Sequence, residues 1–340
     1  MRTKAAILVE QNQPLVIENI EIPALKNGQV LVRVLASGVC RSQLNEFEGR
    51  KGRDPYLPHL MGHEGAGIVE ATTRGVKKVK PGDYVVLTWI KGKGMDVPAM
   101  QYRWGSKVVN SGAIATLTER AVVSENRLVK ISKKIPPAEA ALLGCAIPTG
   151  AGMVFNTLNV KKGSSLAVFG VGGIGASAIL AAKMRGCEPL IGVDISKEKL
   201  KFARRLGATK LLNANKANGT LKKSFAEGVD YAIESSGHKI AMEQAFDLIK
   251  DRGTLVIAGN LAKGDKISID PFDLIKGKKI LGTWGGETAP DRDLPKYARA
   301  YLNGQLPLSQ LITHRFKLND INQAFSILSS GQAGRIIIEF

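Results

Sequence analysis

The stretch LAVFGVGGIG, residues 166–175, decides the fold of this 340-residue chain. Its first four residues are apolar and predict a short buried strand, and its glycine-rich half predicts a tight turn that opens a helix. A strand, a Gly-x-Gly-x-x-Gly turn and a helix in this order are typical of a parallel sheet with helices on both faces.

Downstream of Pro148 the chain alternates apolar runs with helical patterns. The runs are rich in β-branched residues, as strands buried on both faces are. Between the second and third runs, Ser196 is placed to cap a helix that ends at Gly207. We therefore predict a doubly wound α/β sheet with six parallel strands: Leu166–Gly170, Leu190–Asp194, Lys210–Asn213, Asp230–Ser235, Thr254–Gly259 and Ile280–Trp284.

The first third of the chain predicts a different, β-rich architecture of short strands separated by Pro and Gly turns. Residues 91–113 are rich in glycine and polar groups, which predicts a long loop. We expect one domain at residues 1–147, completed by residues 285–340, and a second domain at residues 148–284. The elements predicted for the first domain are strands at Leu15–Ile20, Val30–Ala36, Gly67–Glu70 and Tyr84–Thr88, helices at Leu294–Asn303 and Ile321–Ser330, and a last strand at Arg335–Phe340.

The glycine turn also predicts a dinucleotide site. Glycines let a pyrophosphate approach the backbone, where the N–H groups at a helix N-terminus bind it. Asp194 lies 19 residues beyond Gly175 at the end of the second strand, where a carboxylate accepts hydrogen bonds from ribose and repels a 2′-phosphate. This favours NAD over NADP, although Lys199 offsets part of the repulsion. The predicted coenzyme-binding glycines are Gly170, Gly172, Gly173 and Gly175.

Three segments outside that sheet carry scarce metal-binding side chains. Among only three cysteines and four histidines, Cys40, the His63-Glu64 pair and Cys145 each lie in a Gly-containing context. Two thiolates and one imidazole with an open fourth position are typical of a catalytic zinc site. The zinc ion would act there as a Lewis acid on an alcohol oxygen, so that hydride can pass to a nicotinamide.

Taken with the glycine turn, these segments resemble the zinc-containing alcohol dehydrogenases of the medium-chain dehydrogenase/reductase superfamily. The resemblance runs over nearly the whole chain and includes Pro81-Gly82-Asp83, Gly144-Cys145 through Thr149-Gly150, Ile191-Gly192-Val193-Asp194 and Gly334-Arg335-Ile336. It implies a GroES-like catalytic domain, a Rossmann coenzyme domain, and assembly as a homodimer or homotetramer, commonly through the last strands of the Rossmann sheet.

The resemblance also assigns roles to individual residues. Cys40, His63 and Cys145 match the zinc ligands, with Glu64 as the carboxylate that can approach the metal and Ser42 as the hydroxyl that relays the substrate proton. The positions that match contacts to the coenzyme are Arg41 and Arg335 for the pyrophosphate and Thr149 and Ile174 for the nicotinamide ring.

Three departures from the family pattern are visible. Residues 89–119 contain no cysteine, which removes the structural-zinc lobe of many relatives and predicts one zinc per chain. Gln43 stands where relatives often place an Asp that supports the ligands, and Asn45 stands where several have a relay histidine, so His59 is an alternative proton route. We expect a polar substrate pocket that suits a polyol or sugar-like alcohol, with or without a phosphate or nucleotide group. The residues expected to line it are Gln43, Asn45, His59, Trp89, Asn260 and Thr283.

Composition limits the remaining possibilities. The net charge of +18 raises the alternative of a nucleic-acid-binding protein on a dehydrogenase fold, but no recognised binding motif accompanies the charge. A zinc-free quinone or enone reductase of the same superfamily is a second alternative. The uncharged run at residues 163–182 is interrupted by glycines, which predicts a strand, turn and helix rather than a membrane anchor. Few cysteines and no signal-peptide pattern predict a cytoplasmic enzyme with a small-molecule substrate.

Overall fold

The computed structural model describes residues 1–50, 52–216, 225, 227–262 and 264–340. The chain divides into two compact units. The first unit comprises residues 1–145, 289–304 and 312–340, and the second comprises residues 146–288 and 305–311.

Strands dominate the first unit, and helices alternate with strands in the second. The described strands are β1 (Arg2–Leu8), β2 (Val16–Glu21), β3 (Gln29–Val39), β4 (His59–Leu60), β5 (Glu64–Thr72), β6 (Tyr84–Thr88), β7 (Gln101–Trp104), β8 (Lys107–Asn110), β9 (Arg120–Ser124), β10 (Leu128–Lys130), β11 (Leu166–Phe169), β12 (Leu190–Asp194), β13 (Lys210–Asn213), β14 (Val229–Glu234), β15 (Ile249–Ile257), β16 (Lys279–Gly282), β17 (Ile312–Lys317) and β18 (Arg335–Glu339). The described α-helices are α1 (Arg41–Phe47), α2 (Pro137–Leu142), α3 (Ala146–Gly152), α4 (Gly173–Arg185), α5 (Lys197–Leu206), α6 (Lys239–Leu248), α7 (Pro271–Ile275), α8 (Pro290–Leu302) and α9 (Ile321–Ser329).

The first unit contains a closed barrel and a seven-stranded sheet. The barrel runs β1-β2-β7-β8-β4, and the sheet runs β10-β6-β5-β3-β18-β17 with β9 also paired to β3. The C-terminal strand β18 pairs antiparallel with β3, so the end of the chain becomes part of the same sheet as its beginning. Alternating apolar residues on these strands bury three clusters of Ala, Val, Leu and Ile side chains.

The long loop predicted at residues 91–113 is wrong in its second half, which forms the β7–β8 hairpin. Tyr102 on β7 is fully buried, and its hydroxyl accepts a hydrogen bond of 2.9 Å from the Val122 backbone N–H. The hairpin was missed because its strands are only four residues long and, of their side chains, only Tyr102 and Val109 are buried.

The second unit is built on a six-stranded, fully parallel sheet in the order β13-β12-β11-β14-β15-β16. This confirms the doubly wound α/β fold class. Helix α5 begins with the Ser196 hydroxyl accepting from the Lys199 N–H and ends at Gly207 in the left-handed conformation, as predicted. Strand β15 begins at Ile249 rather than at Thr254, because its first residues pair with β14 across a register shift.

The uncharged run at residues 163–182 forms β11, the glycine turn and most of α4. Within the described residues, no helix has both the length and the apolar character needed to cross a membrane.

Candidate metal and coenzyme sites

The three scarce metal-binding segments meet within the first unit. Cys40 lies between the end of β3 and the start of α1, His63 and Glu64 lie at the start of β5, and Cys145 lies between α2 and α3. Their ligand atoms all lie within 4.8 Å of one another. Residues distant in sequence thus form one cluster of two thiols, an imidazole and a carboxylate.

Glycines beside the ligands allow this approach. Gly62, directly before His63, has φ +100°, and a Cβ there would lie 2.6 Å from the Leu117 backbone nitrogen. Gly144, directly before Cys145, would place a Cβ 2.4 Å from the Leu87 carbonyl oxygen and 2.8 Å from the Glu64 backbone. A larger residue at Gly62 would push the His63 segment away from residues 116–117, and one at Gly144 would push the Cys145 segment away from Glu64.

The electrostatics of the cluster favour a thiolate. The Cys145 hydrogen bond lowers the pKa of the buried Cys40 thiol well below its usual value, and His63 and Arg335 act in the same direction against the effect of burial. A thiolate is the form that binds metal. Two cysteines and one histidine are also a donor set that Zn²⁺ prefers, so the residues present fit a zinc ion.

Glu64 is fully buried and forms an ion pair with the guanidinium of Arg335, which is itself 3% exposed. An unpaired carboxylate at this depth would be strongly unfavourable, and the paired arginine removes that penalty. The structure therefore places Arg335 against Glu64 in the first unit. Its expected contact with a coenzyme pyrophosphate stays a prediction.

Gln43 supports the first cysteine through the backbone. Its side-chain Oε1 accepts a hydrogen bond of 2.8 Å from the Cys40 N–H, which fixes the turn into α1. Among the described residues, its buried Nε2 amide has no hydrogen-bond acceptor. Gln43 thus positions the candidate ligand Cys40, and its Nε2 group can donate a hydrogen bond to a molecule bound in the neighbouring cavity.

The other α1 residues lie around this turn. Ser42 and Asn45 are half-buried, while Arg41 is exposed and its guanidinium donates to the Leu328 carbonyl oxygen at 3.5 Å.

A cavity of about 600 Å³ opens within the first unit beside His63. Gln43 and His59 line it, together with Gln101 and Asn110 from the β7–β8 hairpin. Apolar atoms form the larger part of the lining, and these four polar side chains are the basis for expecting a ligand with hydrogen-bonding groups.

The remaining predicted pocket residues do not line this cavity. Trp89 is half-buried in the first unit, where its carbonyl accepts from the Arg127 guanidinium. Asn260 and Thr283 belong to the second unit: Asn260 is exposed, and the Thr283 hydroxyl hydrogen-bonds the Thr157 hydroxyl at 3.1 Å.

The glycine turn of the second unit forms a cradle at the N-terminus of α4. Gly170 has φ +83°, and a Cβ on Gly175 would lie 1.9 Å from the Gly170 carbonyl oxygen, so both positions require glycine. A Cβ on Gly172, by contrast, would meet nothing within 4 Å. The space beside Gly172, at the N-terminus of α4, is therefore open, and the N-terminus of a helix is where an anion can bind.

Asp194 lies at the end of β12, next to this cradle. Its carboxylate accepts hydrogen bonds of 2.8 Å from the Val171 N–H and 2.9 Å from the Ser196 N–H. Asp194 and Gly170 line a cavity of about 550 Å³ whose other walls are largely apolar. Burial lowers the pKa of the nearby Lys199 ammonium, and Asp194 acts in the opposite direction.

Two further predicted coenzyme contacts belong to the second unit. Thr149 on α3 is buried, and among the described residues its hydroxyl has no hydrogen-bond partner. Ile174 is half-buried on the first turn of α4, and its carbonyl oxygen would lie 2.5 Å from a Cβ on Gly150.

Sequence reasoning missed several charged groups of interest. Glu234, fully buried at the end of β14, accepts hydrogen bonds from the Ser236 and Gly237 N–H groups of the second cavity's wall, and burial raises its pKa. Glu46 and Asp54 lie against His59 in the first unit. The Glu-Ser-Ser-Gly sequence at the end of a predicted strand could have indicated Glu234. No sequence motif indicates that Glu46 and Asp54 lie beside His59.

Comparison with known proteins gives the same two-part organisation. The alcohol dehydrogenase GroES-like domain model matches residues 26–133, and the zinc-binding dehydrogenase model matches residues 173–302. The alcohol dehydrogenase class-3 of Zea mays is 31% identical to the chain over 366 residues, covering 98% of this chain and 96% of that protein.

Solved structures agree in fold over the full length. An alcohol dehydrogenase zinc-binding domain protein from Burkholderia ambifaria has a TM-score of 0.93 and 32% identity, covering 100% of this chain and 99% of that one. Benzyl alcohol dehydrogenase from Acinetobacter calcoaceticus has a TM-score of 0.91 and 30% identity at the same coverage. At this identity and coverage, the chain belongs to the zinc-type alcohol dehydrogenases of the medium-chain dehydrogenase/reductase superfamily, with its GroES-like and Rossmann-type folds.

Proposed function

We propose that this oxidoreductase is zinc-dependent and NAD-linked, and that it interconverts a polar alcohol with its aldehyde or ketone. The observation that carries the proposal is the buried cluster of Cys40, His63 and Cys145, whose ligand atoms converge within 4.8 Å. A zinc-free reductase of the same superfamily has no use for such a donor set.

Cys40, His63 and Cys145 would hold the zinc ion, which supplies Lewis-acid polarisation of the substrate oxygen when bound. Gln43 keeps Cys40 in place through the backbone hydrogen bond at the start of α1. Arg335 holds Glu64 beside the ligands, since its guanidinium pairs with that carboxylate.

We assign proton transfer from the substrate hydroxyl to Ser42, two residues beyond the first ligand. Ser42 is half-buried and so keeps contact with solvent. Asn45 has no titratable group to carry a proton onward, so the proton passes from Ser42 to water or to the ribose of the coenzyme.

Coenzyme binding is assigned to the second unit. The open backbone around Gly172 would bind the pyrophosphate, and Asp194 would accept hydrogen bonds from the adenosine ribose. The carboxylate would also repel a 2′-phosphate, which supports NAD over NADP. Thr149 and Ile174 remain the candidates for contact with the nicotinamide ring.

The proposed substrate class rests on the polar side chains in the cavity of the first unit. The Gln43 Nε2 donor lacks an acceptor among the described residues, and Gln101 and Asn110 add further amides to the wall. A substrate hydroxyl can satisfy the Gln43 donor, whereas a short alkyl chain leaves it unpaired at a cost of about 1–3 kcal/mol. We therefore propose a polyol or sugar-like alcohol.

A homodimer or homotetramer is proposed from one exposed edge. Strand β16 ends the parallel sheet, so one side of its backbone has no neighbouring strand in the described sheet. Phe272, Leu274 and Ile275 of α7 and Leu281 of β16 are exposed apolar residues along this edge, with Ile275 79% exposed. A second copy of the chain would bury them.

None of the three cysteines forms a disulfide, which supports a reducing, cytoplasmic setting.

The test is NADH formation with a panel of polyols, sugars and short aliphatic alcohols, using wild type, Cys145→Ala and the matched control Cys187→Ala. Cys187 is a buried thiol of the second unit whose pKa is raised to about 11 by burial. We expect Cys145→Ala to lose both zinc and activity, and Cys187→Ala to keep both. Best specificity constants for short aliphatic alcohols would contradict the substrate proposal, and full activity without metal would favour the zinc-free reductase.

A further inference from the structure

A second group of metal-binding side chains lies in the first unit, apart from the Cys40 cluster. Glu46 is on α1, His59 is on β4, and Asp54 is in the segment between them. Their ligand atoms lie within 4.8 Å of one another. We propose that Glu46, Asp54 and His59 bind a divalent metal ion of the Zn²⁺ class, independently of the proposed catalytic zinc.

The hydrogen bonds of His59 determine which nitrogen faces the carboxylates. Its Nδ1 lies 2.8 Å from the Leu60 carbonyl oxygen, which can only accept, so Nδ1 carries the proton. In the neutral ring, Nε2 therefore presents a lone pair to Asp54 and Glu46. A backbone carbonyl that orients a histidine in this way is the usual partner of a metal-binding imidazole.

In this tautomer, three acceptor atoms face one another, and a bound cation would satisfy all three. The Nε2 atom of His59 lies 3.0 Å from Asp54 Oδ2 and 3.5 Å from Glu46 Oε1. The other Asp54 oxygen accepts from the Tyr56 N–H at 2.8 Å, which holds the carboxylate in this orientation. The Asp54 side chain is only 11% exposed, so its negative charge is poorly solvated.

The separations discriminate between possible cations. Ligands bound tetrahedrally at about 2.0–2.2 Å lie about 3.4 Å from one another, close to the observed 3.0 and 3.5 Å. An ammonium group donating bonds of about 2.9 Å would hold its acceptors about 4.7 Å apart. If both His59 nitrogens carried a proton instead, Nε2 would donate a good hydrogen bond to Asp54 at 3.0 Å and only a long one to Glu46 at 3.5 Å. The experiment below distinguishes this state from a bound metal ion.

The site also has an entry path and an open coordination position. Glu46, Asp54 and His59 all line the 600 Å³ cavity, and the Glu46 side chain is 35% exposed. A bound ion would join α1, which begins directly after Cys40, to β4, which ends three residues before His63. Its effect would be to fix two candidate catalytic ligands relative to one another.

The experiment counts zinc bound by metal-free protein after equilibrium dialysis, without reference to activity. Wild type should bind two ions per chain. The Glu46→Gln and His59→Asn variants should each bind one ion per chain under the same conditions, because their affinity for the second ion should be at least about tenfold weaker than that of wild type. His314→Asn is the matched control, since His314 is a half-buried histidine on β17, outside both groups, and its substitution should leave two ions bound.

A cobalt titration distinguishes the two sites, because only the cysteine site gives a thiolate-to-cobalt absorption band. Glu46→Gln should keep this band at full intensity, and its partly exposed side chain makes it the safer variant if His59→Asn fails to fold. One ion per wild-type chain would overturn the proposal and assign a proton to the site. Equal binding by wild type and Glu46→Gln would also overturn it.

Discussion

The carboxylate of Glu125 connects two segments of the first unit, residues 77–78 and residues 92–97. Glu125 is buried, and its Oε2 accepts from the Lys77 N–H at 2.8 Å and the Lys78 N–H at 2.7 Å, while its Oε1 accepts from the Met95 N–H at 2.8 Å. These bonds hold residues 92–97 against residues 77–78. We predict that Glu125→Gln locally destabilises this connection.

The magnitude follows from the three bonds. A glutamine carbonyl can still accept from Lys77 and Lys78, but each bond to a neutral acceptor is weaker by about 1 kcal/mol than one to a carboxylate. Its NH₂ group would then face the Met95 N–H, so the third bond, about 1.5–3 kcal/mol, is lost. The sum is about 3.5–5 kcal/mol in the free energy of local opening.

Hydrogen exchange at the Met95 amide measures this opening directly. A change of about 3.5 kcal/mol, the lower end of this range, corresponds to exchange faster by more than about two orders of magnitude. Glu18→Gln, the same chemical change at an exposed position of β2, is the control and should leave Met95 unchanged. Exchange in Glu125→Gln within about threefold of wild type would refute the reasoning.

The same carboxylate predicts a pH dependence. The backbone hydrogen bonds lower the pKa of Glu125 below its ordinary 4.5 despite burial, which acts in the opposite direction. A carboxyl with a depressed folded-state pKa contributes stability above its unfolded pKa and loses it as pH falls through the folded value. The difference between wild type and Glu125→Gln should therefore be full at pH 7 and shrink below about pH 4.5.

Three further predictions concern the second unit. Gly175→Ala places a Cβ 1.9 Å from the Gly170 carbonyl oxygen. We therefore expect thermal unfolding to show a destabilisation of at least about 1–3 kcal/mol, and fluorescence titration to show weaker NADH binding. An unchanged Tm would contradict the packing argument. Asp194→Ala removes the acceptor proposed for ribose and should raise KM for NAD about tenfold or more while narrowing the NAD/NADP preference, whereas an unaltered ratio of specificity constants would contradict that role. Ile275→Asp adds a charge to the exposed α7–β16 edge and should reduce the particle mass in light scattering to that of one chain; a wild-type monomer would remove the basis of this prediction.

The parallel sheet was predictable because its signals are local. The run before Gly170 is apolar, the turn glycines have steric requirements that the sequence displays, and Ser196 and Gly207 mark the ends of α5. The start of β15 was harder to predict, since residues before Thr254 pair across a register shift that leaves no sequence pattern.

The candidate metal cluster was predictable for a different reason. Cys40, His63 and Cys145 are rare residue types in a recognisable pattern, and the structure brings them together. The contacts of Glu125 and the pairing of His59 with Asp54 were not predictable, because carboxylates are common and their partners are backbone groups or residues without a motif. The sequence predicted that Gln43 replaces an aspartate that supports the metal ligands. In the structure, the Gln43 Oε1 accepts a hydrogen bond from the Cys40 N–H, which depends on the position of Gln43 in the first turn of α1.

The most direct test of the proposed function is a titration of metal-free protein with Co²⁺, following the thiolate-to-cobalt band and NADH formation in the same samples. If Cys40, His63 and Cys145 hold the catalytic ion, both signals should rise in proportion to one another, saturate at the same added Co²⁺ and disappear in Cys145→Ala. Activity that appears without the thiolate band, or a saturated band with no activity toward any alcohol in the panel, would contradict the account.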